Sequence, residues 1–333
     1  MRMEDIYALD GVYREPMCVK GYFFGKGKKA ACVVGSMRGN EIQQLYVCSQ
    51  LVKALEELEK KGAIAANNEI LVIPAVNVYS MNIERRFWAL DNTDINRMFP
   101  GYSEGETTQR IAGGVFEKVK DYDYGIQFAS FYTPGDFVPH VRIMDTGFTN
   151  ESLSNLFGLP YAVIRKPRPI DTATLNYNWQ IWERNAFSVY TKETDCIDET
   201  SAQQAVAAVL RFLTRMGIIR YHSHSGYIAS IINEEELRTV HADMGGIYRR
   251  HAKPGDEVQC GEVMAEILHP YEGYVMSQVI ASVQPRGKMQ AARLDAESPR
   301  IKVRKQMGCF FAHKKPLVCE HEIVYRLIKR MHL

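Results

Sequence analysis

Two short segments carry side chains that could do chemistry. The first runs Asp94-Ile95-Asn96-Arg97-Met98-Phe99-Pro100-Gly101, with Arg85 and Arg86 shortly before it. A guanidinium presents planar donors that can grip a carboxylate at two points. The same arginines could instead pair with Asp91 or Asp94. The second segment is Gly35-Ser36-Met37-Arg38-Gly39-Asn40-Glu41. Two side chains three residues apart on a strand-to-helix turn can meet at one ion. Catalytic zinc needs three protein ligands and an open position for water, with a carboxylate nearby to accept a proton. Glu41 is a suitable ligand, but Arg38 is not: its permanent positive charge repels a cation. The pair reads more simply as an ion pair. His222 and His224 have a strand-like i,i+2 spacing and could share a metal, with His140 and His241 as further candidates. They read equally as interface or solvent histidines, because no further ligand spacing supports a site.

The elements that would position these residues follow from periodicity. Residues 30–35 read as a buried strand ending in a glycine turn, and 69–76 as a second buried strand. Residues 41–61 read as a helix with Leu45, Leu51, Val52, Leu55 and Leu58 on one stripe. Glu56–Lys60 and Glu57–Lys61 are favourable pairs along it, and Gly62 is its stop. Residues 107–120 read as a helix, and 124–129, 161–165 and 186–191 as strands. Residues 199–216 read as a helix with Val206, Val209, Leu210 and Leu213 inward and Gly217 as its stop. Strands alternating with helices predict a doubly wound α/β domain with ligands at the carboxyl ends of its strands. The loops after Val34 and Phe128 fall there. Near residue 220 the character changes to short β-type runs with turn signals. This predicts domains at 1–219 and 220–333, the second a small barrel or sandwich. Its turn glycines resemble those of biotinyl/lipoyl-type barrels. The nearest approach to an attachment motif is Gly287-Lys288-Met289, so a carrier role is rejected.

Length and composition suit two packed domains: 333 residues, 46% hydrophobic and 24% charged, with a net charge of +2. That balance makes no case for nucleic acid or an anionic membrane. The basic run at 300–305 is broken by Ile301 and Val303 and reads as an alternating strand. The cysteines, Cys18, Cys32, Cys48, Cys196, Cys260, Cys309 and Cys319, are odd in number and scattered. They read as reduced thiols in a cytoplasmic protein. Residues 1–10 lack the apolar core of a signal peptide, and no apolar run approaches the roughly 18 residues of a membrane span.

Taken together, Arg38-Gly39-Asn40-Glu41 and residues 94–101, supported by Pro139-His140-Val141-Arg142, resemble the succinylglutamate desuccinylase/aspartoacylase family, relatives of the zinc carboxypeptidases. The likeness extends to residues 308–317, which resemble the closing strand pair of that family's C-terminal β domain. It implies a doubly wound mixed sheet with flanking helices, zinc carboxypeptidase-like, plus a smaller C-terminal all-β domain. By resemblance, Arg86, Asn96 and Arg97 match positions that hold the substrate's carboxylate. Arg85 is adjacent, so which of the two arginines takes the role stays open. Glu41 matches the carboxylate ligand of zinc, and Arg38 stands where the first histidine of the family's Gly-x-His-Gly-Asn/Asp-Glu turn belongs. Aligning residues 123–129 with the family's Asp-Leu-His strand puts Gln127 at the Asp and Ala129 at the second histidine. Aligning 186–190 puts Tyr190 at the catalytic Glu, with Glu193 as the alternative.

The implied protein keeps the substrate side of a hydrolase and loses its metal side. The reading favoured is a degenerate enzyme that binds a small carboxylate-bearing, N-acyl amino acid-like molecule with little or no hydrolysis. Arg38 joins Arg86, Asn96 and Arg97 at the ligand, and no cofactor is expected. The segment 176–182, with Trp179 and Trp182, would line the pocket or pack an inter-domain seam. One alternative is an active metal-dependent amidohydrolase whose zinc is held by relocated histidines. Another is a non-catalytic interaction protein. A homo-oligomer is compatible with all three.

Overall fold

Short runs rich in Val, Ile and Cys pair into a nine-stranded sheet, because only pairing satisfies their backbone groups once both faces are covered. The computed structural model describes residues 1–12, 14–148, 151–281 and 306–329. The basic run at 300–305 and Gly287-Lys288-Met289 lie outside the described residues. In chain order the first elements are β1 (Arg2–Gly11), β2 (Arg14–Gly25), β3 (Lys28–Ser36), α1 (Ile42–Lys60), β4 (Asn68–Ala75), α2 (Val78–Met81) and α3 (Thr107–Val119). There follow β5 (Tyr124–Ala129), β6 (Gly135–Phe137), β7 (His140–Met144), β8 (Tyr161–Arg165), α4 (Leu175–Ile181), β9 (Asn185–Tyr190), α5 (Glu199–Arg215) and β10 (Ser230–Asn233).

The sheet order is β1-β2-β4-β3-β5-β9-β7-β8-β10. Its centre, β4-β3-β5-β9, is parallel. β7 runs antiparallel to β9, and β8 and β10 run parallel to β7. Successive side chains point to opposite faces. Val33 and Val72 therefore join Leu51 and Leu55 of α1 and Val209 and Leu213 of α5 in one layer. Cys32, Val34, Leu71 and Ile73 join Ile111 and Val115 of α3 and Trp179 of α4 in the other. A fully buried aliphatic side chain contributes roughly 1.5–3 kcal/mol. That exceeds a helix-propensity difference or an exposed ion pair, so burial sets the register. Two turns close the helices as their residue types suggest: Asp198 accepts the Ser201 N–H at the start of α5, and Gly62 takes φ +65° after α1.

The chain forms two compact units, one of Met1–Ser130 with Pro139–Glu234, the other of Phe131–Val138 with Glu235–Leu333. The division thus differs from the one at 219/220. Turn signals begin near 220, but β10 still adds to the parallel sheet beside β8. In the second unit follow β11 (Arg238–His241), β12 (Gly246–Arg250), β13 (Glu257–Gln259), β14 (Val263–Leu268), β15 (Val275–Ile280), β16 (Gln306–His313), β17 (Leu317–Val318) and β18 (Ile323–Ile328). Two sheets, β11-β18-β16-β13 with β6 added to β16, and β15-β14-β12-β17, share a core around Val258, Met264, Ile267 and Val324. Among the described residues, no helix is long and apolar enough to cross a membrane.

Candidate functional site

The parallel centre of the sheet brings the carboxyl ends of β3, β5 and β9 to one side. Ala129 pairs with Tyr190, and Tyr190 with His140, so these three form one row across the sheet. The turn after β3 is held rigidly. Ser36 Oγ donates to the Arg38 carbonyl at 2.6 Å, and the Gly39 N–H donates to the Arg86 carbonyl at 3.2 Å. A Cβ on Gly39 would lie 2.3 Å from the Arg85 carbonyl oxygen, so a side chain there would push the two loops apart.

This turn places the Arg38 guanidinium between two carboxylates. Its Nη1 donates to Glu41 Oε1 at 2.9 Å, and its Nε and Nη2 donate to Asp94 Oδ2 at 3.1 and 2.8 Å. Arg38 is only 5% exposed and Glu41 1%. Burial opposes the guanidinium charge, but the Glu41 and Asp94 carboxylates more than offset it and raise the pKa above its ordinary value. The carboxylate of Glu41 is fully subscribed. Oε2 accepts the N–H groups of Met37 and Arg38 at 2.8 and 3.1 Å, and Oε1 accepts the Ser130 hydroxyl as well as Arg38. The substrate-gripping role expected of Arg38 therefore gives way to an internal one, because its donors are spent on protein acids.

A zinc ion does not fit these residues. The one ligand that the resemblance retains, Glu41, has its oxygens engaged by four donors, and one of those donors is a buried cation. Gln127 and Ala129 bring a neutral amide and a methyl group on β5. Tyr190 ends β9 with its ring stacked on His140, centroids 4.7 Å apart and planes at 5°. The Arg142 guanidinium carbon lies 4.5 Å from the same ring centre, and its Nη1 donates to the phenol oxygen at 3.4 Å. A phenol offers a donor and a weak acceptor where a carboxylate would offer a base. Glu193 lies three residues on, in the turn beyond β9, grouped with Asp195 and Cys196.

The loop 94–101 is ordered by internal bonds and by bonds to residues 170–175. Asp94 Oδ1 accepts the Asn96 N–H at 3.1 Å, and Asn96 Oδ1 accepts the Leu175 N–H at 3.3 Å. Arg97 Nη1 donates to the Ile170 carbonyl at 2.7 Å and to Asp171 Oδ1 at 3.2 Å. Asp94 and Asp171, not Asp91, are the acids that the arginines meet; Asp91 instead accepts the Thr93 N–H. Sequence reasoning missed Asp171, which lies in a short turn whose only signal is Pro169 two residues earlier. Burial separates the two adjacent arginines: Arg85 is exposed, and Arg86 is half-buried with its guanidinium 5.7 Å from the Phe87 ring.

The other candidates fall elsewhere. His222 and His224 are exposed in a segment outside any strand, His140 is fully buried, and His241 Nδ1 meets the His321 carbonyl. Among the described residues, none of the four belongs to a cluster of three ligating groups. Trp179 is fully buried. It fills the first unit's core, its Nε1 donating to the Val119 carbonyl at 3.0 Å. Trp182 is 43% exposed against Phe116.

Comparison with solved structures supports the fold. A succinylglutamate desuccinylase from a Silicibacter species superposes with a TM-score of 0.75 at 15% identity, covering 97% of this chain and 92% of that one. An aspartoacylase family protein from Mesorhizobium loti gives 0.72 at 18% identity, over 96% and 92%. The product-bound ectoine utilization protein from Ruegeria pomeroyi gives 0.71 at 16% identity, over 93% and 88%. No curated protein matches the sequence. Residues 27–214, more than half of the chain, match the model of the succinylglutamate desuccinylase/aspartoacylase catalytic domain. The protein belongs to the succinylglutamate desuccinylase/aspartoacylase family.

Proposed function

We propose that this protein binds a small carboxylate-bearing molecule of the N-acyl amino acid type, hydrolyses it little or not at all, and needs no zinc. The observation that carries the reading is the Arg38 guanidinium held between Glu41 and Asp94. A cation built into the chain takes up the carboxylate that a metal would need. Ala129, Gln127 and Tyr190 offer no replacement ligand set and no carboxylate base. Arg97, Asn96 and Arg86 are the residues proposed to hold the ligand's carboxylate, since a guanidinium can meet that group at two points and an amide can add a further donor. Succinylglutamate, the molecule in the family's name, is itself an N-acyl amino acid with carboxylates.

The test is elemental analysis of protein purified without chelator, with an assay of N-acetylglycine hydrolysis. The reading expects zinc far below one per chain and no turnover above the uncatalysed rate. Near one zinc per chain, together with zinc-dependent turnover, would overturn it and return attention to the histidines.

A further inference from the structure

We propose that Asp171 is a positioning residue that sets Arg97 for carboxylate recognition. The inference rests on the binding role proposed above for Arg97. Asp171 is 2% exposed, an unusual place for a carboxylate unless it is paired. Its oxygens are divided. Oδ1 takes Arg97 Nη1 at 3.2 Å, while Oδ2 takes Arg165 Nη2 at 2.6 Å and the Arg168 N–H at 3.0 Å. The Ile170 carbonyl takes the same Arg97 Nη1 at 2.7 Å.

Two acceptors on one nitrogen fix both the place and the plane of a guanidinium. On the other side Arg97 Nε lies 4.0 Å from Asp94 Oδ2. Among the described residues Nη2 meets no acceptor, and the side chain keeps 22% of its surface exposed. One edge of the guanidinium is thus anchored and the other is presented. An arginine held this way has already given up the rotamer freedom that it would otherwise lose on binding, so more of the contact energy appears as affinity. Asp171 does not consume the charge of Arg97, because it shares its own charge with Arg165. Arg165 is drawn further by Glu234, whose Oε2 lies 3.2 Å from its Nε.

The experiment is a coupling cycle read by calorimetric titration with succinate, using full-length protein and thermal unfolding in parallel. Asp171→Asn should weaken binding about tenfold and Arg97→Ala at least as much, within the range of directly coupled pairs. The double variant should bind no more weakly than Arg97→Ala alone, since Asp171 acts only through Arg97. Arg165→Gln leaves the Asp171 charge to Arg97 alone, so it should weaken succinate binding beside an intact Arg97 and change nothing further beside Arg97→Ala. A purely structural Asp171 would instead give losses that follow stability in both Asp171→Asn and Arg165→Gln and that add in the double variant. That outcome overturns the proposal, as does unchanged affinity in Asp171→Asn beside a clear loss in Arg97→Ala. Should Asp171→Asn fail to fold, Asp171→Glu keeps the charge but shifts it by one methylene. It should also weaken binding, and Arg97→Ala should abolish that difference. Wild-type protein that ignores succinate, or Arg97→Ala with full affinity, would sink the carboxylate-binding reading itself.

Discussion

Arg38 cannot be removed cheaply. Desolvating an ion costs several kcal/mol, and here one guanidinium compensates two acids, Glu41 at 1% exposure and Asp94 with a side chain 10% exposed. Arg38→Met would leave Glu41 without a cation and Asp94 with only Arg97 Nε at 4.0 Å, and is expected to cost about 3–5 kcal/mol, measured as a fall in the urea midpoint. Adding Asp94→Asn should recover part of that loss. If Arg38→Met unfolds at the wild-type midpoint, the ion pairs contribute nothing. The sequence made the Arg38–Glu41 pair legible because three residues on a turn are a local relation. Asp94 was illegible as a partner because it is 56 residues away, and spacing says nothing about contacts across the fold. Without Asp94, Arg38 looked like one more arginine for the ligand. Asp171 was hidden for the same reason: its partners Arg97 and Arg165 declare themselves only once the chain has folded.

Elements were legible where burial left a periodic mark. The strand read at 30–35 is Lys28–Ser36, the strand at 124–129 matches Tyr124–Ala129, and the helix at 199–216 is Glu199–Arg215. The misses share a cause. β1 exposes most of its residues and carries Arg2, Glu4, Asp5 and Asp10, so it shows no apolar run. β7 faces the site with His140 and Arg142, polar side chains that blur strand alternation. α4 mixes asparagines with aromatics, and its seven residues are too few to show a period. A close fit between elements rests on Gly125 of β5. A Cβ there would lie 2.4 Å from Trp179 Cε3, and the tryptophan is fully buried with its indole N–H engaged. Gly125→Ala should destabilise by about 1–3 kcal/mol through overpacking, and Trp179→Phe should relieve part of it. Thermal denaturation of the single and double variants checks this; equal losses in both would count against the contact.

At the scale of the molecule, two cores imply two sensitivities. His313 of β16 is fully buried, and burial pushes its imidazole below the ordinary value. Glu322 and a backbone hydrogen bond at Leu317 oppose that shift, while Lys315 and Arg250 add to it. The unfolded chain takes up the proton near pH 6.5, and the folded unit only at lower pH. Stability from this group is therefore complete above about pH 6.5 and is lost as pH falls toward the folded value. Urea unfolding followed through the second unit should show a midpoint lower at pH 5 than at pH 7, and His313→Gln should narrow the gap. An unchanged gap would remove His313 as the cause. The overall architecture was legible because alternating strands and helices admit few layouts. The boundary was not, because residues 131–138 pair with a strand far along the chain: Phe137 sits opposite Phe311. That pairing sets a timetable. A ribosome releases β6 long before it has made β16, and at typical synthesis rates the wait is on the order of ten to thirty seconds. For that interval the nascent chain carries a strand edge with nothing to add to, while the last strands of the first unit, β7 to β10, are themselves still being made. Strands left open in this way recruit other chains. Crowded expression is then a condition that favours loss of this protein to aggregation, and slower initiation is the remedy that its topology suggests.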